Sequence, residues 1–138
     1  MGGVLAIDYG EKKCGFASTD RLRIAREPLA VLRHEGRVEL VLEHIGELIA
    51  ERDLSTLIVS LPLHADGSEG PAAQRTRAFV TLVQGRFPDL EVDAWDEHLT
   101  TKEAEARLRA LGRKGRAIRA ERDSWSALVL LEDWLQSH

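Results

Sequence analysis

The stretch Val4-Leu5-Ala6-Ile7-Asp8-Tyr9-Gly10 is an apolar run that closes on a carboxylate and a glycine. It is followed by Glu11-Lys12-Lys13-Cys14-Gly15-Phe16-Ala17, in which a glycine-bounded turn leads into a second apolar run. This order predicts two strands joined as a hairpin. A carboxylate at the end of a buried strand can hold a metal ion or a phosphate, so we expect the chemistry of this protein at Asp8.

The rest of the chain alternates between strand and helix patterns. Further strands are predicted over residues 24–31, 57–61 and 90–97, and helices over 37–52, 72–86, 100–112 and 120–136. The helix over 37–52 has a continuous apolar stripe, and Thr100-Thr101-Lys102-Glu103 matches a capping box. We predict a single domain over residues 1–138, of α/β or α+β class, with a mixed sheet of five strands whose first three form a meander.

Length and composition support one soluble, folded unit. The 138 residues suit one domain, and 43% apolar with 30% charged residues argues against disorder. No apolar run approaches the roughly 20 residues of a membrane span, and no signal peptide pattern is present, so we expect a cytoplasmic protein. Cys14 is the single cysteine, which excludes an internal disulfide and a cysteine-based zinc site.

The net charge of −4 would discourage a nucleic-acid partner, but the charge is unevenly distributed. Between Arg107 and Arg119 the chain carries six basic residues and no acidic one, among them Arg113, Lys114 and Arg116. A local basic segment can bind phosphates whatever the total charge, because screening limits each charge to a Debye length of roughly 8–10 Å. The alternative is a solvated basic loop.

Three separated carboxylates are candidates for a common site. Asp8 ends the first strand and Glu97 the last, with Asp96 as the alternative at that position. Asp123 lies on the apolar stripe of the last helix, in its predicted first turn, where the helix N-terminus favours negative charge; an ordinary helix-start aspartate is the other interpretation. If the three converge they need cations, and oxygen ligands select Mg²⁺ or Mn²⁺. A pair of such ions can hydrolyse a phosphodiester.

Four blocks of the chain together resemble the YqgF family, also called RuvX. They are Asp8-Tyr9-Gly10 with Gly15 and Ala17, Leu61-Pro62-Leu63 followed by Asp66-Gly67-Ser68-Glu69-Gly70, Asp96-Glu97-His98-Leu99-Thr100-Thr101, and Asp123 with Ala127. The resemblance covers nearly the whole chain and implies an α/β, RNase H-like fold related to the RuvC Holliday junction resolvase. It further implies a metal-dependent nuclease that matures the 5′ end of 16S ribosomal RNA, or one that resolves branched DNA. Asp8, Glu97 and Asp123 match the acidic positions expected to hold metal.

Several positions depart from the usual family pattern. Lys13-Cys14 stands where an arginine and a β-branched residue are common, Ser60 replaces a frequent glycine, and Ser126 a frequent alanine. His98 replaces the arginine that normally follows the Asp-Glu pair. A histidine there can titrate near neutral pH and assist proton transfer, or be a surface histidine bonded to a neighbour.

The expected substrate contacts lie around the three acids. The glycine-rich loop of Asp66, Gly67 and Ser68 can cradle phosphate through its backbone N–H groups, or be a plain flexible connection. The full set of expected contacts is Lys13, Asp66, Gly67, Ser68, His98, Thr100, Arg113, Lys114 and Arg116.

The substrate and the assembly stay open at this stage. RNA and DNA present the same phosphodiester, a non-cleaving binding module of the same fold is a further alternative, and the protein could be a monomer or a homodimer. A twofold dimer would suit a branched substrate with twofold symmetry.

Overall fold

The computed structural model describes residues 2–138, which fold around a sheet of five strands. The strands are β1 (Gly3–Tyr9), β2 (Lys13–Thr19), β3 (Arg26–Arg33), β4 (Leu54–Leu61) and β5 (Glu91–Asp96). The helices are α1 (Val38–Arg52), α2 (Pro71–Arg86), α3 (Thr100–Ala110) and α4 (Gly115–Gln136). The spatial order is β3-β2-β1-β4-β5, antiparallel from β3 to β1 and parallel from β1 to β5. The predicted mixed five-stranded sheet with an initial meander is confirmed.

Helices cover both faces of the sheet, because the central strands are apolar on both sides. Along β1, Leu5 and Ile7 pack in the cluster formed with α1 and α2, whereas Val4 and Ala6 pack against α4. Successive side chains of a strand point to opposite faces of the sheet, so Asp8 lies on the same face as Val4 and Ala6, which is the α4 side. None of the helices in the described part of the chain has the length and apolar character needed to cross a membrane.

Two indole groups tie β5 to the end of α4. Trp95 Nε1 donates to Asp133 Oδ2 at 2.7 Å, and Trp134 Nε1 donates to Asp93 Oδ2 at 2.9 Å. Asp93 and Trp95 therefore face α4, and Glu97 continues the same alternation.

The turn between β1 and β2 is held by His34, a buried histidine just beyond the end of β3. Its Nε2 lies 2.9 Å from the carbonyl oxygen of Gly10, which is 24 positions earlier in the chain, and its backbone N–H donates to the Lys12 carbonyl at 2.8 Å. The turn that follows Asp8 is therefore anchored from a third strand. Sequence patterns did not indicate this role, because local spacing carries no signal for so distant a pair.

The last helix starts earlier than predicted. α4 begins at Gly115 and not near residue 120, so Asp123 lies in its third turn. The helix N-terminus therefore does not favour the charge of Asp123, since that influence fades within the first turn. The extra length is supported by Ile118, which is buried.

The predicted capping box at the start of α3 is wrong. Leu99 precedes the helix in the left-handed conformation with φ 61°, and none of the described side chains caps it. The Thr100 hydroxyl donates to the Glu97 carbonyl at 2.8 Å, and Glu103 pairs with Arg107. Thr100 therefore stabilises the turn that carries Glu97.

Candidate active site

Asp8 lies near the end of the central strand, where a buried hydroxyl holds it. The Ser60 hydroxyl on the adjacent β4 donates to Asp8 Oδ1 at 3.4 Å and accepts the Tyr9 backbone N–H at 3.1 Å. The side chain of Ser60 is buried, so its rotation is restricted. The residue noted as a departure from the family pattern therefore orients the first carboxylate.

Asp123 reaches the same edge because α4 crosses β2 in very close contact. A Cβ atom on Gly15, which is paired with Asp8 in the sheet, would overlap the backbone carbonyl of Asp123. The β2–β3 pairing is irregular between Cys14 and Phe16, and the Phe16 N–H donates to Ser124 Oγ at 3.1 Å. A glycine inside an apolar strand is the sequence signal for such a close approach.

Lys13 provides a positive charge beside Asp123. Its Nζ lies 3.3 Å from Asp123 Oδ2, and the two side chains are 33% and 18% exposed. Lys13 and Gly15 are two residues apart and so share one face of β2. The lysine expected to contact substrate is therefore paired with one of the three acids.

Glu97, and not Asp96, faces Asp8. Glu97 follows β5, and its backbone N–H donates to the Leu61 carbonyl at 3.3 Å. Asp96 Oδ1 instead accepts the His98 backbone N–H at 3.0 Å, which closes the turn. Asp8 and Glu97 line one cleft, so the structure favours Glu97 as the third acid.

The electrostatics of Asp8 reflect these neighbours. Burial raises the pKa of Asp8 to about 7, with further increases from the charges of Asp123 and Glu97. The Ser60 hydrogen bond and the charge of Arg122 act in the opposite direction. Burial also raises the pKa of Glu97. Asp8 is thus a buried carboxyl that responds to both of the other acids, and a perturbed group of this kind is typical of a functional site.

The donor chemistry of the three acids fits a hard divalent cation. Carboxylate oxygens are the preferred ligands of Mg²⁺ and Mn²⁺, and a cation would offset both the burial and the neighbouring negative charges that raise the pKa of Asp8. As the side chains stand within residues 2–138, no three His, Cys, Asp or Glu residues form a group that could hold an ion. Asp123 is paired with Lys13 in this arrangement, so an ion bound at this acid would compete with the lysine.

Two clefts adjoin the acids and share Glu97 and Thr101. The first has a volume of about 640 Å³ and is lined by Asp8, Tyr9 and Arg75, among others. The second has a volume of about 570 Å³ and is bordered by the turn after β4 and by the segment that links β5 to α3. Glu97 lines both clefts, Asp8 lines the first, and Asp123 lines neither. Arg75 was not singled out by the sequence, because a lone arginine on a helix has no distinguishing pattern.

The loop of Asp66, Gly67 and Ser68 forms a hydrogen-bonded turn. Asp66 Oδ1 accepts both the backbone N–H of Ser68 at 2.9 Å and its hydroxyl at 2.6 Å, and these bonds lower the pKa of Asp66. The Gly67 N–H donates to the His64 carbonyl at 2.9 Å. The N–H groups of Gly67 and Ser68 are thus engaged within the turn. This turn contributes to the wall of the second cleft, and the structure does not present these groups as free phosphate donors.

The other expected contacts differ in their distance from the acids. His98 is exposed and borders the second cleft, whereas Thr100 is buried. Arg113 pairs with Glu121 at 2.9 Å, and Lys114 and Arg116 are exposed.

The basic stretch therefore lies at the start of α4 and not directly beside the acids. Asp123 is eight positions after Gly115, which at 1.5 Å per residue corresponds to roughly 12 Å along the helix.

The chain is similar to known proteins over almost its full length. A family model described as RuvX, Holliday junction resolvase, matches residues 2–137. A protein from Anaeromyxobacter sp. (strain Fw109-5) named "Putative pre-16S rRNA nuclease" is 39% identical over 131 residues, which cover 95% of this chain and 94% of that protein. Proteins of the same name from Acetivibrio thermocellus and Dechloromonas aromatica are 35% and 36% identical, covering 97% and 99% of this chain and 95% and 92% of their own lengths.

Thermus thermophilus RuvC has a similar fold. One RuvC structure aligns with a TM-score of 0.55 at 13% identity and covers 96% of both chains. The structure of RuvC with a Holliday junction substrate aligns with a TM-score of 0.54 at 15% identity and the same coverage. At these identities the likeness concerns the fold alone, and it confirms the RNase H-like fold expected from the sequence. With the family model and the relatives in agreement over nearly every residue, this chain belongs to the RuvX family.

Proposed function

We propose that this protein is a metal-dependent nuclease that hydrolyses phosphodiester bonds in the 5′-end processing of pre-16S rRNA. The observation that supports this best is the placement of Asp8, Glu97 and Asp123 at one edge of the sheet, where burial and then the charges of Asp123 and Glu97 raise the pKa of Asp8. Such a group of carboxylates is costly to ionise without cations, and the donors suit Mg²⁺ or Mn²⁺.

The chemistry requires both metal and protein contributions. Divalent ions held by the three carboxylates would activate a water molecule and stabilise the leaving oxygen. The protein orients the carboxylates: Ser60 holds Asp8, and Gly15 admits the backbone of Asp123. Lys13 has the charge and the position to contact the substrate phosphate once its ammonium group has left Asp123.

The remaining substrate contacts extend along the two clefts. His98 and Gly67 line the second cleft, and the bonds of Asp66 to Ser68 shape the turn that carries Gly67. Thr100 is buried and contributes by holding the turn that carries Glu97. The exposed Arg113, Lys114 and Arg116 would bind phosphates further along the strand.

The names of the relatives support an rRNA substrate. Three of them, at 35–39% identity and with matching lengths, are named for pre-16S rRNA. This role would place the protein in the cytoplasm, where a trimming nuclease can act as a monomer.

Resolution of Holliday junctions is a second candidate. The description of the matching family model favours it, and RuvC, which shares the fold, has been solved with a junction substrate. This activity would favour a homodimer, since a junction has two equivalent strands to cut.

A cleavage panel would separate these functions. The wild-type protein is incubated with Mg²⁺ or Mn²⁺ and pre-rRNA fragments, single-stranded RNA, single-stranded DNA or four-way junctions, beside Asp8→Asn. Metal-dependent cutting of pre-rRNA that is lost in Asp8→Asn is the expected result. Preferential cutting of junctions would support the second candidate. Activity that survives the substitution would contradict the proposed site.

A further inference from the structure

The cleft of about 640 Å³ beside the acids has a chemically mixed lining. Asp8 and Glu97 contribute carboxylates to its lining, and Val38, Ala78 and Leu82 contribute an apolar wall. Leu82 is 48% exposed although it is a large apolar residue. A phosphodiester gains nothing from an apolar wall, so this wall suits an apolar part of a substrate whose phosphate lies at the acids.

The wall is built on a rigid base. The ring of Tyr9, which directly follows Asp8, stacks on buried Phe79 with centroids 3.9 Å apart and an interplanar angle of 9°. The parallel ring of His34 lies 6.2 Å away on the same tyrosine. The cleft is therefore formed before any ligand enters, which lowers the entropic cost of binding.

Arg75 adds a positive charge to this cleft. It pairs with Glu11 at 3.1 Å, but the two side chains are 56% and 73% exposed. An exposed ion pair is weak and easily exchanged. The guanidinium can therefore leave Glu11 for a phosphate, for which its planar set of donors is well suited.

We propose that this cleft binds one unpaired nucleotide next to the scissile phosphate, with its base against Val38 and Leu82 and its far phosphate at Arg75. The proposal rests on the nuclease function proposed above and specifies its substrate class. A base has apolar faces and is attached to a phosphate on each side, so a cleft whose lining combines two acids, an apolar wall and an arginine offers a contact for each part. A base inside a duplex is stacked and cannot enter, so the nucleotide must be unpaired.

Abasic scanning tests the proposal by binding alone. A fluorescent single-stranded oligonucleotide is compared with versions that lack one base at successive positions, in an Asp8→Asn background that prevents cleavage. We expect one position at which loss of the base weakens binding roughly tenfold, as for the loss of a small apolar contact area. Annealing the complementary strand should weaken binding similarly.

Matched variants assign that effect to the cleft. Leu82→Gln should remove the sensitivity to the missing base, whereas Leu111→Gln, at a leucine of similar exposure (54%) outside the lining of this cleft, should retain it. Arg75→Gln should weaken binding of the intact and abasic oligonucleotides equally. It should also reduce the magnitude of the slope of log K against log salt concentration by about one. Each variant changes an exposed side chain, and unchanged melting temperatures would verify its fold.

The outcomes separate this proposal from the nuclease function. Equal binding of intact and abasic oligonucleotides at every position would overturn the nucleotide cleft, even if wild-type cleavage were normal. Identical behaviour of Leu82→Gln and Leu111→Gln, or no binding to any oligonucleotide, would overturn it as well. A clear abasic effect without wild-type cleavage would support the cleft and contradict the nuclease function.

Discussion

Lys13 Nζ lies 3.3 Å from Asp123 Oδ2, so a lysine takes the place beside this acid that a divalent cation would need. Both residues come from elements that meet at Gly15, and their separation is set by the close contact of α4 with β2. A built-in positive charge offsets part of the repulsion among the three carboxylates. It also competes with any ion that binds there.

Replacing Lys13 by methionine should strengthen metal binding. A partly exposed ion pair contributes up to about 1 kcal/mol, so the dissociation constant for Mn²⁺ should fall roughly fivefold in the absence of nucleic acid. Calorimetric titration measures this directly. Lys12→Met removes the same charge from an exposed neighbour and should change the affinity less. Weaker metal binding by Lys13→Met would contradict the competition.

Stability without divalent ions should fall as the pH rises. Because the folded-state pKa of Asp8 is about 7, well above the value in an unfolded chain, the folded protein holds this proton more tightly. Its contribution is complete below about pH 4 and is lost as the pH rises through about 7, by at most about 4 kcal/mol. In EDTA, urea unfolding of Asp8→Asn should show a smaller decrease between pH 5 and pH 8 than the wild type. Asp89→Asn, at an exposed aspartate, should behave like the wild type.

Ser60→Ala should disturb Asp8 and leave substrate binding almost unchanged. The variant loses the donor to Asp8 and leaves the Tyr9 N–H without its acceptor, at a cost of about 1–2 kcal/mol in unfolding free energy. The pKa of Asp8 should rise, since the Ser60 bond lowers it, and NMR titration of its carboxyl carbon would show this. We expect kcat to fall with little change in KM. Equal losses in both would indicate a general disruption of the fold.

Two glycine-to-alanine substitutions should act in opposite directions. Gly15→Ala places a methyl group on the Asp123 backbone, so α4 must shift, and we expect a loss of more than about 3 kcal/mol. Gly85 lies in α2, and a Cβ there meets no described atom within 4 Å. Gly85→Ala should therefore stabilise by about 0.5–1 kcal/mol. Thermal unfolding of both would show it, and a well-folded, fully stable Gly15→Ala would refute the close contact.

Ser126→Ala should stabilise the protein. Within the part of the chain that the structure describes, Ser126 Oγ is buried in α4 with no hydrogen-bond partner. Removing such a hydroxyl recovers about 1 kcal/mol or more of desolvation cost. Chemical denaturation at a single pH is sufficient to measure it. A decrease in stability would mean that the hydroxyl has a partner, such as a water molecule.

The sequence predicted the strands of the sheet more accurately than it predicted where the last helix begins. The strands that end at Tyr9 and Asp96 and the helix Val38–Arg52 have strong periodicity, which is a local property and therefore visible. The start of α4 was misplaced because Ile118 is the one buried residue of its first two turns and Lys114 at the N-cap gives no capping signal.

The three acids could be selected from strand ends and family resemblance, but their surroundings could not. The Ser60–Asp8 contact joins residues 52 positions apart, and the Lys13–Asp123 and Arg75–Glu11 pairs also link different elements. Such pairs depend on how the elements pack, and the side chains involved are common polar types with no distinctive spacing. Gly15 was interpreted as part of a turn, although a glycine inside an apolar strand is a signal of close backbone approach that could have indicated this contact.

The hydrogen bonds of Trp95 to Asp133 and of Trp134 to Asp93 join the edge strand β5 to the end of α4. Glu97 and Asp123 both lie on these two elements, and the contact of α4 with β2 at Gly15 also fixes the backbone of Asp123. Lys13 lies on that same β2, so the backbone is fixed on both sides of the Lys13–Asp123 pair. Release of this acid is therefore a rotation of the long lysine side chain and requires no movement of strands or helices.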